Sequence, residues 1–259
     1  MRYISLWIAY LKVNMKRLLE YRADFVFNLI SVFIWTATGL FNVLIMFTKI
    51  TSFYGWGKYE VCLLYGMWSL TFSIYNAFGS GILNIENDII NGKLDISLIK
   101  PIDPLFIIVT SRINTMGIGF LIFGLCCIIY SLIKLNLFLI PLIIYFLISA
   151  ITGGGLIFAT YLILACFSFW IKRSSNAIRV GYDIHKFAQY PLDIYGKGIK
   201  ILLSTLFPYV FTNYYPTAFM LGKTSVFVGM ISPIVCLLAF FLSIVFWKIS
   251  LARYESTGS

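Results

Sequence analysis

Five long apolar runs divide this chain, and each is at least as long as a membrane crossing requires. They occupy residues 25–47, 61–83, 112–132, 135–171 and 227–247. A helix needs roughly 20 consecutive apolar residues to cross the hydrocarbon core of a bilayer. Because 60% of the residues are apolar and the mean hydropathy is +0.91, a soluble globular domain is excluded. The sequence therefore predicts an all-α membrane protein with several crossings.

Basic residues at the two ends of the chain indicate its orientation. Residues 3–19 place apolar side chains such as Trp7 on one helical face and Lys12 and Lys16 on the other, which is typical of a helix lying in the membrane interface. Residues 1–24 are therefore predicted to form a cytoplasmic amphipathic elbow helix. Lys248 and Arg253 follow the last run and indicate a cytoplasmic C-terminus. Two cytoplasmic ends require an even number of crossings, so a sixth is expected.

The candidate for the sixth crossing is residues 174–195. It carries Arg179, Asp183, His185 and Lys186, which are costly against lipid and would have to be shielded by protein. Spacings of four and three residues let the charges at 179, 183 and 186 neutralise one another in part. The alternative is an amphipathic segment on the cytoplasmic surface. In either position, these four residues are the candidates for handling a substrate or for gating.

The run at 135–171 is too long for one ordinary crossing and short for two. Its three consecutive glycines, 153–155, indicate a kink, a close helix crossing or a break. We expect one long, tilted crossing over 137–171; the alternative is a tight hairpin at the glycines.

The most polar stretch between apolar runs, IENDIINGKLDISLIKPIDPL at 85–105, holds four of the ten acidic residues. Its Asn91-Gly92 pair predicts a turn, and Lys100-Pro101 and Asp103-Pro104 are predicted to end any helix. Ile96, Leu98 and Ile99 offer an apolar face. A soluble partner could dock there, although an ordinary solvated loop between two crossings would also explain the composition.

Three motifs, in order, resemble those of the ABC-2 type permeases, and most closely the viologen-exporter-like branch. The first is GKLD at 92–95 with LIKPI at 98–102 and PL at 104–105. The second is the segment FAQYPLDIYGKGIKILLSTLFPYVFTNYYPTAFMLGK at 187–223, and the third and weakest is YRADF at 21–25. Together they cover most of the chain.

The resemblance implies a six-helix type V exporter fold. It places an elbow helix before the first span, a coupling element at 84–111, a fifth span at 174–195 near a dimer axis and re-entrant helices at 197–223 before the last span. The implied partners are a cytoplasmic ABC ATPase, a second permease copy or related permease, and the lipid membrane.

The resemblance also assigns roles to residues. Glu86 and Asp88 are expected to make polar contacts with the ATPase, Gly92 and Pro101 to shape the turns, and Leu94, Leu98 and Ile99 to fill an apolar cleft of the ATPase. Lys93, Asp95 and Lys100 belong to the same element, and for Asp95 and Lys100 local capping explains the residue equally well. Tyr190 and Pro191 of the second motif join the four charged candidates on the predicted translocation route.

No catalytic or metal-binding pattern is found in the sequence. Gly222-Lys223-Thr224 resembles the end of a phosphate-binding loop, but Thr217 stands where that loop needs its first glycine. The five cysteines show no ligand spacing, there is a single histidine, and the basic residues are too scattered for nucleic-acid binding. We therefore expect no enzyme activity and no cofactor in this chain, with ATP and magnesium on the partner ATPase.

The sequence thus favours the permease subunit of an ATP-driven exporter in the cell membrane. Related permeases export drugs, peptides or lipid-like molecules, so the substrate stays open. The alternatives are an ion-coupled secondary transporter or channel and an accessory membrane protein that only binds a partner.

Overall fold

The computed structural model describes residues 2–20, 22–112, 114–171 and 174–254. Tyr21 of the third motif and the basic pair Lys172-Arg173 lie outside these ranges. Five helices in the described part are long and apolar enough to cross a membrane, which confirms an all-helical, multi-pass architecture. They are α2 (Arg22–Met46), α3 (Lys58–Gly79), α7 (Met116–Leu135), α8 (Ile140–Cys166) and α13 (Val226–Leu251).

Shorter elements connect these helices. The shorter helices are α1 (Arg2–Glu20), α4 (Ile85–Ile90), α5 (Lys93–Ile99), α6 (Pro104–Ser111), α9 (Ser168–Ile171), α10 (Ser175–Phe187), α11 (Lys197–Ser204) and α12 (Tyr214–Met220). Three 3-10 turns occupy Ser80–Asn84, Leu192–Ile194 and Tyr209–Phe211. Between α2 and α3, strands β1 (Ser52–Phe53) and β2 (Trp56–Gly57) form an antiparallel hairpin.

Helix α3 is the centre of the bundle, because every residue from 61 to 73 is buried. It packs along α7 at a point where both helices carry glycine. A Cβ added to Gly66 would lie 3.1 Å from the carbonyl oxygen of Gly124 and 2.8 Å from the Ile128 side chain. Small residues let helix backbones approach closely where lipid supplies no hydrophobic driving force.

The three glycines at 153–155 lie inside α8, so the chain does not turn back there. Gly154 packs against α3, where an added Cβ would be 2.7 Å from Ile74 Cγ2 and 3.2 Å from the carbonyl oxygen of Thr71. The glycines therefore provide a close crossing between α8 and α3 rather than a break.

The predicted fifth span contains a short helix. Helix α10 has 13 residues, about 20 Å of rise, whereas the hydrocarbon core is about 30 Å thick. It is not among the five apolar helices, so the six-span count stays a prediction. The predicted re-entrant region, 197–223, contains the short helices α11 and α12.

A polar cluster holds this region against the β-hairpin. Asp193 Oδ2 accepts hydrogen bonds from Trp56 Nε1 at 2.9 Å and from the Tyr214 hydroxyl at 2.7 Å. Lys223 Nζ donates to the carbonyl oxygen of Gly55 at 2.6 Å and pairs with Glu60 at 3.0 Å.

Helix α1 lies against the opposite end of the bundle. Its Tyr3 ring packs edge-on against Phe106 at 5.1 Å, and its Trp7 ring stacks on Phe78 at 6.1 Å. These contacts place α1 beside α6 and the end of α3. Its role as an interfacial elbow helix stays a prediction.

Candidate functional site

The segment 85–111 folds into three short helices, α4, α5 and α6. Gly92 has a φ of +64°, and this left-handed conformation forms the predicted turn between α4 and α5. Helix α5 ends at Ile99, before Lys100-Pro101, as expected. Asp103-Pro104, which was predicted together with Lys100-Pro101 to end any helix, also begins the next one, α6. Asp103 Oδ1 accepts hydrogen bonds from the backbone nitrogens of Leu105 (2.8 Å) and Phe106 (3.3 Å), which makes Asp103 a helix N-cap.

The apolar residues of α5 divide into a buried and an exposed set. Leu94 is 1% exposed and belongs to the main core. Leu94 was predicted to fill an apolar cleft of the ATPase. This prediction is corrected, because the side chain is already packed within this chain. Leu98 (41% exposed) and Ile99 (84% exposed), with Ile96, form an open patch, which we call the α5 apolar face.

Glu86 contacts this chain instead of offering a free carboxylate to a partner. Its Oε2 accepts hydrogen bonds from the backbone nitrogens of Ser174 at 2.6 Å and Ser175 at 2.5 Å. The carboxylate thus lies at the N-terminus of α10, where it satisfies free N–H groups and the helix dipole favours negative charge. The prediction of Glu86 as an ATPase contact is corrected on this geometry.

The other polar residues of the segment lie at or near its surface. Asp88 Oδ1 lies 4.0 Å from Arg112 Nη2, within this chain. Lys93, Lys100 and Pro101 are exposed. Burial, with the carboxylate of Asp95 nearby, raises the pKa of Tyr254 to about 12, so the chain following α13 lies close to α5.

One face of α10 packs into the bundle. Gly181 lies against Leu164 and Tyr161 of α8, and an added Cβ would be 2.6 Å from Leu164 Cδ1. His185 is fully buried, with its ring stacked on those of Trp68 (5.6 Å) and Phe72 (5.1 Å) of α3. His185 was predicted to face the translocation route, but its ring fills this aromatic core instead.

The opposite face of α10 is open and charged. Arg179 is exposed, and Asp183 Oδ1 pairs with Lys186 Nζ at 2.8 Å, as the three-residue spacing predicted. Tyr190 is half-buried and Pro191 is buried just beyond the helix. The structure thus separates the predicted route residues into an exposed charged set and a packed set.

A cavity of about 560 Å³ lies beside this charged face. Side chains of α2, α3, α7, α8 and α10 line it, so the cavity lies where four of the long apolar helices meet the short helix α10. We call it the Arg179 cavity, and its wall includes Trp35, Tyr75, Asn76, Tyr161 and Arg179. Its volume is within the range of sites for small-molecule ligands.

A second cavity, of about 650 Å³, continues along α2 and α10. It shares Ser31 and Trp35 with the Arg179 cavity and is lined further along by Thr38, Lys186 and Gln189. The two cavities together form a furrow that we call the α2–α10 groove. Arg179 and Lys186 are seven residues apart on α10, or about 10 Å along its axis.

The contribution of α2 to this groove was missed by the sequence reasoning. Ser31, Trp35, Thr38 and Asn42 all line it and are spaced by four, three and four residues, which places them on one face of the helix. That polar spacing inside an apolar run is the signal that could have found it.

A comparison with family models decides the assignment. The model for ABC-2 family transporter proteins matches residues 33–258, which include most of α2, the segment 85–111, α10 and the final span. This chain belongs to the ABC-2 transporter family. The match confirms the resemblance to the ABC-2 type permeases. It makes the chain a membrane transport component that is not itself the ATPase, and it implies an ABC ATPase partner.

The comparisons with individual proteins add no relatives. No curated protein and no solved structure was found to match the chain.

Proposed function

We propose that this protein is the permease subunit of an ATP-driven exporter in the cell membrane. A separate cytoplasmic ATPase hydrolyses ATP with magnesium, and the substrate moves outward along the α2–α10 groove. The observation that carries the proposal is the contact of Glu86 with the N-terminus of α10. It joins the segment expected to meet the ATPase directly to the helix that lines the groove.

The ATPase docks on the α5 apolar face in this proposal. Ile99 is the most exposed large apolar residue of the described part, and basic Lys93 and Lys100 are exposed on the same short segment. An apolar patch rimmed by charge is typical of a protein interface. The ATPase side is cytoplasmic, and both chain ends lie on that side.

A second permease covers the α2–α10 groove. Arg179, Asp183 and Lys186 all lie on the open side of α10, and such groups are costly against lipid. A facing permease encloses them in a shared water-accessible route. The two permeases are two copies of this chain or this chain and a related one.

Co-purification tests the proposal. The tagged chain is purified in mild detergent from its native membrane, and the sample is assayed for ATP hydrolysis. We expect an ABC ATPase with the wild type and little of it with Ile99→Asp. Tyr54→Asp, a matched change at an exposed residue of the β1–β2 hairpin, is expected to retain it.

Two results would count against the proposal. A wild-type chain that purifies without an ATPase contradicts it, as does equal recovery of the ATPase with both variants. Uptake driven by an ion gradient in the absence of nucleotide would instead favour the ion-coupled alternative.

A further inference from the structure

The wall of the Arg179 cavity is mainly apolar and contains several aromatic rings. Trp35 of α2, Phe72 of α3, Phe120 of α7 and Tyr182 of α10 all line it. Such walls bind an apolar body of varied shape, because aromatic rings supply large contact area with few rotatable bonds. The cavity therefore suits the apolar part of a ligand, and its few polar groups determine which headgroup is accepted.

The two amides in the wall are occupied by this chain. Asn114 Nδ2 donates to Asn76 Oδ1 at 3.1 Å, and Asn76 Nδ2 donates to the carbonyl oxygen of Phe72 at 2.8 Å. Asn114 Oδ1 accepts from the backbone nitrogen of Met116 at 3.0 Å. These bonds tie α3 to the start of α7, so the amides have a structural role and little capacity to select a headgroup.

Arg179 is the charged residue of the cavity wall. It forms no ion pair within 4 Å with a carboxylate that the structure describes. Two carboxylates, one on α10 and one at its N-terminus, are already engaged: Asp183 pairs with Lys186, and Glu86 accepts from the first N–H groups of α10. The guanidinium thus presents a positive charge to the cavity, and its planar donors match carboxylate, sulfate or phosphate oxygens.

Two tyrosines of the wall contribute aromatic surface to the cavity. Tyr75 and Tyr161 are 2% and 1% exposed, and their rings meet edge-on with centroids 4.8 Å apart. Neither hydroxyl has a hydrogen-bond partner among the described residues. Both hydroxyl oxygens are enclosed by protein, so these residues offer the cavity their rings and not their hydroxyl groups.

The position of Arg179 also orients the ligand. Ser175 lines the same cavity and is held by Glu86 of α4, so this end of α10 adjoins the segment 85–111. Trp35 lies between the Arg179 cavity and the rest of the groove. A ligand with its headgroup at Arg179 therefore has its charge near the proposed ATPase side and its apolar body among the helices, as an amphiphile of the inner leaflet does.

We infer that the Arg179 cavity binds amphiphiles with a single anionic headgroup, a carboxylate, sulfate or phosphate, and selects against cationic ones. Arg179 binds the headgroup, and the aromatic wall binds the apolar body. This inference rests on the proposed export function and specifies its substrate class.

The test is a binding measurement that needs no ATPase. The full-length permease is placed in nanodiscs of zwitterionic phosphatidylcholine, and energy transfer from its tryptophans to a dansyl group is followed. Three probes with the same chain differ in the headgroup: 12-(dansylamino)dodecanoate, the matching trimethylammonium cation and the uncharged dodecyl dansylamide. Empty nanodiscs give the partition background.

We expect the wild type to bind the anionic probe about tenfold or more tighter than the cationic one. Arg179→Gln should reduce the affinity for the anion to that for the uncharged probe, and Arg179→Glu should reverse the preference. Lys134→Gln is the control, because it removes one positive charge from an exposed site at the other end of α7 and should change nothing.

Each contrary outcome is distinct. Equal binding of the three probes, or an anion preference that survives in Arg179→Gln, overturns the substrate class while co-purification with an ATPase would still support an exporter. Binding of none of the probes rejects the cavity as an amphiphile site. Loss of ATPase co-purification with intact anion binding would instead contradict the proposed function and leave the site standing.

Discussion

Glu86 and Ser174 are 88 residues apart in the sequence, yet Glu86 Oε2 accepts a hydrogen bond from the backbone nitrogen of Ser174 at 2.6 Å. The carboxylate belongs to α4, which continues α3 through a 3-10 turn, and the nitrogen lies just before α10. A displacement of the segment 85–111 would therefore be transmitted to α10 without an intervening loop. This contact is the physical basis of the coupling that we propose.

Removing the Glu86 carboxylate should uncouple the segment from α10. Glu86→Ala leaves the first N–H groups of α10 without their acceptor, which costs about 1–2 kcal/mol. We expect a lower melting temperature of the purified permease and reduced export, with the ATPase still bound, and a smaller defect for Glu86→Gln. Asn87→Ala, an exposed change on the same helix, is the control, and an equal effect of both variants would refute the role of Glu86.

Leu94 and Ile99 should respond differently to the same substitution. Leu94→Asp buries a charge in the core and should destabilise the permease by about 4 kcal/mol, seen as loss of folded protein on size-exclusion chromatography. Ile99→Asp should leave folding intact and weaken only ATPase recovery. Normal folding of Leu94→Asp would contradict the packing of α5 described above.

Gly81 permits close packing between the 3-10 turn that follows α3 and helix α6. A Cβ at this position would overlap with the backbone carbonyl oxygen of Ile108, which cannot rotate away. Gly81→Ala should therefore cost about 1–3 kcal/mol of stability. Gly155→Ala, where the nearest atom is Phe240 Cδ2 at 3.6 Å, should be neutral in the same thermal unfolding assay, and equal melting temperatures for the two would oppose this reading.

Asp193 should stabilise the fold of the region between α10 and α12. Asp193→Ala removes the acceptor for both Trp56 Nε1 and the Tyr214 hydroxyl, and hydrogen bonds to a charged group contribute about 1.5–3 kcal/mol each. We expect faster proteolysis within 188–225 and a lower melting temperature. Asp24→Asn, at the exposed start of α2, is the matched acidic control; a proteolysis pattern unchanged in Asp193→Ala would exclude the proposed tether.

Sequence patterns predicted the elements whose signal is local. The lengths of the apolar runs located the apolar helices, and Asn91-Gly92 and Lys100-Pro101 located the turns of the segment 85–111. The motifs identified the family. These features depend on consecutive residues, so no knowledge of tertiary contacts was needed.

Features that depend on distant residues were not predictable in this way. From the sequence, Glu86 is expected to be a free surface carboxylate, and only the fold shows that it contacts the N-terminus of α10. Similarly, His185 is expected on the translocation route, and only the fold shows that its ring packs against those of Trp68 and Phe72. Leu94 and Ile99 look alike in the sequence, and only the packing of α5 separates them. The α2–α10 groove lies between two helices that are far apart in the sequence, so neither segment alone predicts it.

The most direct test of the account is the nucleotide dependence of thiol labelling at Ser31→Cys, a residue shared by both cavities of the groove. The background carries Cys126→Ser, because Cys126 is the exposed cysteine of the five native ones. The labelling rate is measured for the permease–ATPase complex in membranes, with and without a non-hydrolysable ATP analogue, and with Glu86 or Gln at position 86. The account predicts a several-fold change with nucleotide in the Glu86 protein and a much smaller one in Glu86→Gln. A rate that does not respond to nucleotide, or that responds equally in both proteins, would contradict coupling between the ATPase and the groove through Glu86.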